Sequence, residues 1–365
     1  LSRRLLIVKL GDLGDAVILT AAVDAASSCL PEYSIDVLLG SAGGEVFACD
    51  ERVNKVITFD RKLIEGIRAF TPRSIIAWIK LLWSVYRRHY DIVIFAHHMT
   101  TFLGTLKLFS IALASGAPLR AGIDNGRGWF LNASLPDQGF GAKCEGAYWR
   151  DIVLALAPCA SGGNLGIKVC PESYAKADSL LGNNIARPLI AVHHGLGGWI
   201  PGRAWRAELY AKVIDRLHQV LGGSFILIGG PEEVGGAEEV IKASRTELVN
   251  LVGKTSVQVL AAVLSRCDLY IGPDSGPMHV AEAVGTKIVS LWGPTNERAW
   301  GPCEEIGAPP SVCIRAPNRP KPSLYVGHKM GNVSQAWDLG DIDPEAVVDA
   351  AIRLLRSGGK VGCKR

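Results

Sequence analysis

The chain lacks most of the signatures that would name its chemistry directly. Its nine cysteines include no C-x-x-C pair, so no cysteine-based metal site is spelled out. No apolar run reaches the length of a membrane span. The nearest, residues 75–86, is broken by Lys80. No leader peptide is evident, because Lys9, Gly11 and Asp12 interrupt the apolar run that follows Arg3 and Arg4. Neither a G-x-G-x-x-G fingerprint nor a GxxxxGK[ST] phosphate loop occurs, and hydride transfer and ATP hydrolysis lose support accordingly. There is no short repeat period. Net charge is only +4, and zinc-finger spacing and RNA-binding aromatics are missing, so nucleic acid is not an expected partner.

What is present is a long, strongly apolar chain. At 365 residues and 48% hydrophobic content it has material for two cores. Cys29, Cys49 and Cys267 lie in apolar segments, which reads as reduced core thiols of a cytosolic protein. Cys303 and Cys313 flank a loop, but a bond or metal site between them has no neighbouring ligands to complete it.

Apolar runs of strand length alternate with helical periodicity from end to end. Strands are expected at residues 5–10, 35–39, 53–59, 92–96 and 119–123, and helices at 16–26, 73–89, 102–114 and 144–156. Residues 124–141, rich in Gly, Asn and Pro, read as a loop. Residues 157–187 read as an interdomain linker. The alternation restarts with strands at 189–193, 225–228, 248–252, 269–271 and 287–293, each preceded or followed by a helical stretch. Five successive strand–helix steps predict a second doubly wound sheet. Asp341-Ile342-Asp343 resembles a metal-binding DxD, but Pro344 and a helical run follow at once, so helix capping is the reading.

Four turns at strand ends carry the chemistry. Gly11-Asp12-Leu13-Gly14-Asp15 follows the first strand. Two carboxylates there would repel a phosphate, whereas a carboxylate at a helix N-terminus can accept a proton or a sugar hydroxyl. Asp15 as an ordinary helix cap is the competing reading. Gly195 to Arg203 is a glycine-rich loop that offers N–H groups and a guanidinium to a diphosphate. Glu233 ends a strand, a place suited to a ribose diol. Asp274-Ser275-Gly276 offers helix N-terminal donors to an anion, or Asp274 merely caps that helix. His97 and His98 lie just past a strand end, either facing a ligand or serving as structural hydrogen-bonding groups. The 73–89 helix combines Trp78, Trp83 and Tyr86 with Arg87 and Arg88. It reads as a membrane-surface helix or as a core helix with a basic end.

Taken in order, residues 5–15, Val192-His193-His194-Gly195 with Arg203-Ala204-Trp205, Gly229 to Glu233, Gly272 to His279 and Leu291 to Thr295 resemble the motifs of glycosyltransferase family 9, the bacterial lipopolysaccharide heptosyltransferases. The resemblance runs in register over about residues 5–303. It implies an α/β GT-B fold, two Rossmann-like doubly wound domains facing a central cleft. The acceptor-binding domain would be residues 1–170, the nucleotide-sugar domain 171–340, and a last helix in 341–365 would pack back on the first domain. It implies metal-independent, inverting transfer of a heptose from an ADP-sugar to a lipopolysaccharide core or similar glycan, with no cofactor. Asp15 would be the general base. Gly195, Arg203, Glu233, Asp274, Ser275, Gly276 and His279 would hold the donor, Glu233 at the ribose and Asp274 at sugar hydroxyls. Asp12, His97 and His98 would lie on the acceptor side. The partners implied are the nucleotide sugar and a lipid-linked glycan, reached from the cytoplasm with peripheral contact to the inner membrane. Three departures bear on the substrates: Arg203 stands where the family usually has lysine, Phe95-Ala96-His97 replaces an Asp-Leu-Gln-like strand end, and residues 315–337 do not follow the pattern. Another nucleotide sugar with a different acceptor, or a catalytically idle binding relative, are the alternatives.

Overall fold

A computed structural model describes residues 3–64, 71–160, 162–195, 205–293, 295–317 and 339–357. The chain divides into two compact units after Gly166. The first carries β1 (Arg3–Lys9), α1 (Leu13–Ile18), α2 (Thr20–Cys29), β2 (Tyr33–Gly40), β3 (Val53–Phe59), α3 (Pro72–Tyr86), β4 (Ile92–Phe95), α4 (Phe102–Ser115), β5 (Leu119–Asp124), β6 (Ala133–Pro136) and α5 (Glu145–Leu156). Its six strands are all parallel, in the order β3-β2-β1-β4-β5-β6. Such sheets are covered on both faces, which is why β1 and β4 read as unbroken apolar runs rather than alternating ones.

The second unit carries α6 (Pro171–Leu181), β7 (Leu189–His193), α7 (Ala207–Leu221), β8 (Ser224–Ile228), α8 (Val234–Ala243), β9 (Leu248–Asn250), α9 (Val257–Ser265), β10 (Leu269–Pro273), α10 (Gly276–Ala283), β11 (Lys287–Trp292), α11 (Glu297–Trp300), β12 (Ser311–Arg315) and α12 (Pro344–Arg356). Its sheet runs β12-β11-β10-β7-β8-β9, again all parallel. Counted from each unit's own first strand, both sheets have the order 3-2-1-4-5-6 of doubly wound nucleotide-binding folds. The order reverses between β1 and β4 in one unit and between β7 and β10 in the other. Connecting loops diverge there and leave a crevice at the strand C-termini.

Several expectations are corrected. The helix expected at 16–26 begins at Leu13 and breaks at Leu19, so Asp15 lies inside its first turn. The loop expected at 124–141 contributes β6, paired to β5 from Ala121↔Ala133 to Asp124↔Pro136. The linker expected at 157–187 contains α6, which starts with Pro171 at its first turn. The last helix joins the core of the second unit. Val347, Val348, Ala351 and Leu354 of α12 pack with Ile190, Val192, Leu269 and Val289 of the second sheet. Each large side chain of that stripe contributes about 1.5–3 kcal/mol by leaving water. Asp343 caps α12, its Oδ1 accepting from the Glu345 N–H at 3.1 Å, so the DxD is a cap as expected. The cysteines are not all reduced. Cys29 is bonded to Cys159 across 130 residues of chain, and Cys49, Cys144, Cys170 and Cys303 are disulfide-bonded as well. Cys313 is not disulfide-bonded, so the Cys303–Cys313 bond is not made. Among the described residues, no helix is long and apolar enough to cross a membrane.

Candidate functional site

The first switch point is built on Lys9, the last residue of β1. Lys9 is buried, only 6% exposed, and a buried ammonium needs a partner. Its Nζ lies 3.1 Å from Asp15 Oδ1 and 4.4 Å above the Trp149 ring. The second carboxylate oxygen of Asp15 accepts the Asp12 N–H at 3.0 Å. The Asp15 side chain is 18% exposed, so its carboxylate is held but still reachable. Burial alone would raise its pKa. The charge of Lys9 and the Asp12 N–H outweigh burial and lower it below the ordinary value. Gly11 is what lets the carboxylate sit there, since a Cβ at residue 11 would stand 2.2 Å from Asp15 Oδ2.

His97 comes to the same place from the end of β4. Its Nε2 accepts the Leu10 N–H at 2.8 Å, which puts the ring proton on Nδ1. Burial first, then the charge of Lys9, hold its pKa down at about 3, so the ring stays neutral. Asp12 is exposed and pairs with Arg61 at 3.1 Å. His98 is a different case. Its Nδ1 lies 2.9 Å from Asp137 Oδ2 and its Nε2 lies 2.9 Å from Glu145 Oε1. Burial opposes the charged ring, but the two carboxylates overcome that and raise its pKa to about 9. With both nitrogens used, His98 is a clamp. It ties the β4 end to the start of α5 and packs edge-on against Trp149, the ring under Lys9. Of the two histidines expected on the acceptor side, His98 is thus the one whose ring nitrogens both meet carboxylates of its own unit.

The second switch point is built on His193, the last residue of β7. Its Nε2 lies 3.0 Å from Glu233 Oε2 and 3.1 Å from Oε1. A carboxylate only accepts, so Nε2 carries the proton. The other nitrogen, Nδ1, lies 3.1 Å from Ser275 Oγ and 3.4 Å from the Tyr270 hydroxyl. One imidazole thus joins the β7, β8 and β10 ends. Glu233 also accepts the Gly230 N–H at 2.8 Å. Its side chain is 5% exposed. Burial favours its neutral form, yet His193 and the Gly230 N–H keep it ionised with a pKa of about 2. Glu233 is therefore drawn inward and ties the β8 end to His193.

Ser275 and Gly276 open α10 as the N-cap and first residue. The backbone N–H groups of that first turn form an anion-favouring end. Asp274 is buried, its Oδ1 3.9 Å from His279 Nε2. His279 Nδ1 lies 3.3 Å from Glu282 Oε2, and Glu282 Oε1 in turn accepts the Cys303 N–H at 2.9 Å. Asp274, Ser275, Gly276 and His279, all expected on the donor side, thus lie together at the start of α10. Gly195 lies beside them with φ +68, and a Cβ there would stand 2.3 Å from Pro273 Cγ, so the β7 and β10 ends close only on glycine. His194 is 1% exposed, and among the described residues neither ring nitrogen meets a hydrogen-bond partner. Arg203 lies outside the described residues. Sequence reasoning missed Lys9 and His193. A signal existed for each: a charged or polar residue closing an otherwise apolar, buried strand.

The model of the family described as glycosyltransferase family 9 (heptosyltransferase) matches residues 147–332. Lipopolysaccharide heptosyltransferase 3 of Escherichia coli K12 is 35% identical over 106 residues, 28% of this chain and 30% of that protein. Lipooligosaccharide heptosyltransferase 2 of Haemophilus influenzae is 29% identical over 188 residues, 50% of this chain and 51% of that protein. The chain thus spans about half, or less, of the length of the curated relatives it matches. Among solved structures, the glycosyltransferase family 9 protein of Veillonella parvula superposes with a TM-score of 0.75 at 23% identity, over 97% of both chains. The E. coli ADP-heptose lipopolysaccharide heptosyltransferase II superposes with a TM-score of 0.70 at 19% identity, over 96% of this chain and 98% of that one. These likenesses show the GT-B fold. The family match takes in more than half of the chain, including the whole second switch point, and the chain belongs to glycosyltransferase family 9, the heptosyltransferases.

Proposed function

We propose that the chain moves a heptose from ADP-heptose to a sugar of a lipopolysaccharide core, with inversion at the anomeric carbon. The observation that carries this reading is the Asp15 carboxylate, kept ionised by Lys9 and still partly exposed at the first switch point. Asp15 accepts the proton of the acceptor hydroxyl as that oxygen bonds to the anomeric carbon. The bond from that carbon to the donor phosphate breaks, and ADP leaves with the electron pair. The growing negative charge on the diphosphate is met by the N–H groups opening α10 and by the Arg203 cation. Asp274 orients donor hydroxyls, and His279 supports it. On this reading no metal or organic cofactor takes part, because N–H donors and a guanidinium supply the stabilisation. The acceptor is lipid-linked, and the reaction belongs at the cytoplasmic face of the inner membrane.

The test is a mass-spectrometric screen of ADP-, UDP- and GDP-sugars against core oligosaccharides. Transfer from ADP-heptose with an added heptosyl mass supports the reading. Turnover of a UDP- or GDP-sugar instead would overturn the donor assignment. ADP binding without consumption of any donor would point to an idle relative.

A further inference from the structure

Among the described residues, ten of the thirteen exposed large apolar side chains belong to one surface. On α3 they are Ile75, Ile76, Ile79, Trp83 and Tyr86, the last four between 51% and 59% exposed. Their spacing is that of one helical stripe. On α4 they are Phe102, Leu103, Leu106 and Leu113, a second stripe of the same kind. The two helices touch, with Trp78 Nε1 donating to Ser110 Oγ at 3.2 Å. Leu81 and Val85 of α3 and Leu108 and Ile111 of α4 share one core beneath them with Leu6, Val8 and Phe95 of the sheet. Both helices therefore cover the same face of the first sheet, and both apolar stripes look away from it. Trp129, 58% exposed, extends the surface from Phe109, ring centroid to ring centroid 4.5 Å.

A surface of this size and polarity is normally covered. Its charge says by what. Neither α3 nor α4 contains an Asp or Glu, while Arg73, Lys80 and Arg87 are exposed on or beside α3. Two copies meeting through this face would bring those cations together with no carboxylate on either helix to offset them. An anionic lipid surface offsets all of them at once. Exposed Trp and Tyr beside cations suit the boundary between headgroups and acyl chains. We propose that the α3–α4 face, extended by Trp129, lies on an anionic phospholipid membrane. The inference builds on the reading of a lipid-linked acceptor and names the surface that would bring the first switch point to it.

The experiment is vesicle flotation of the full chain, with no donor or acceptor present, so its outcome is independent of transferase activity. Vesicles of phosphatidylethanolamine with phosphatidylglycerol are compared with phosphatidylcholine vesicles. The chain floats with the anionic vesicles, and Lys80→Glu with Arg87→Glu lowers the partition by about fivefold per charge. Ile79→Ser with Trp83→Ser, and separately Leu106→Ser with Leu113→Ser, also lower it, while thermal midpoints and ADP binding match the parent. Failure to float on anionic vesicles at low salt overturns the proposal. So does flotation that none of these variants changes. A dimer by light scattering that the Ser variants dissociate, without any lipid binding, assigns the face to a second copy and overturns it too. Failure of the donor screen with flotation intact would sink the transferase reading alone.

Discussion

At the first switch point the leading strand ends in a lysine, and at the second it ends in a histidine. Everything around them follows from that pair of residues. Lys9 carries a fixed charge from the interior and holds Asp15 at the surface of its crevice, 18% exposed and ionised. His193 draws Glu233 inward until its side chain is 5% exposed, and it uses its second nitrogen on Ser275. The strand order is the same in both sheets, so topology decides where the chemistry sits and the closing residue of the central strand decides what it is. One carboxylate is held ionised and partly exposed, where the proposed reaction needs a base. The other is held inward by His193 beside the N-terminus of α10.

The hardest blow to this contrast comes from Asp15→Asn. The amide keeps the shape and can no longer take a proton, so transfer falls by about a thousandfold or more, while ADP affinity should be unchanged because the proposed nucleotide site lies in the other unit. Steady-state rates with calorimetric ADP binding check both halves. A variant retaining a tenth of the parent rate would leave Asp15 as a cap, and the two switch points would then be alike.

A second prediction separates the clamp from the base within the first unit. His98 has a folded pKa of about 9, above its unfolded value. Its two ion pairs therefore stabilise fully below about pH 6.5 and are lost as pH rises through about 9. His98→Gln should lower stability by up to about 3 kcal/mol at pH 6 and flatten the decline of stability between pH 6.5 and 9. Denaturant melts across that range measure it. A slope unchanged by the substitution would show that some other group titrates there.

A third prediction tests the hub of the second switch point. His193→Leu and Glu233→Gln should each weaken ADP binding by about tenfold to a hundredfold, because the loops carrying Gly230 and Ser275 lose their common tie. The double variant should be no weaker than the worse single one, the signature of residues acting as a unit. Additive losses would mean that Glu233 reaches the nucleotide itself, as the family resemblance suggests.

Much of this was legible in the sequence. The apolar runs and the turns between them placed ten of the twelve strands, all but β6 and β12, because short apolar runs bounded by turn residues suit buried parallel strands. Asp274, Ser275 and Gly276 were placed at a helix N-terminus because they follow an apolar strand and precede a helical stretch, and α10 does begin at Gly276. What stayed hidden were partnerships across the chain. The tie of His98 to Glu145 spans 47 residues and that of His193 to Ser275 spans 82. No local pattern encodes such a pair. β6 was hidden because its Ala-Ser-Leu-Pro run is too short and polar to show alternation, and the Cys29–Cys159 bond because cysteine spacing alone does not specify pairing.

The smallest effect is the one that bears most directly on the comparison. Lys9→Met keeps a buried chain over Trp149 and removes only the charge facing Asp15. Burial then acts on the carboxylate with less opposition, from the Asp12 N–H and little else, and its pKa rises. A base with a depressed pKa is ionised throughout the neutral range, so the parent should lose activity only in acid. In the variant the acid limb of kcat/KM should move up by about one pH unit. At pH 8 the carboxylate is ionised in both proteins, and the rates should agree within about threefold. A pH–rate profile of each, normalised to its plateau, decides the matter. If the limb stays in place while the plateau drops, Lys9 meets a substrate group directly, and the first switch point would hold its ligand with a cation, as the second is proposed to do through Arg203.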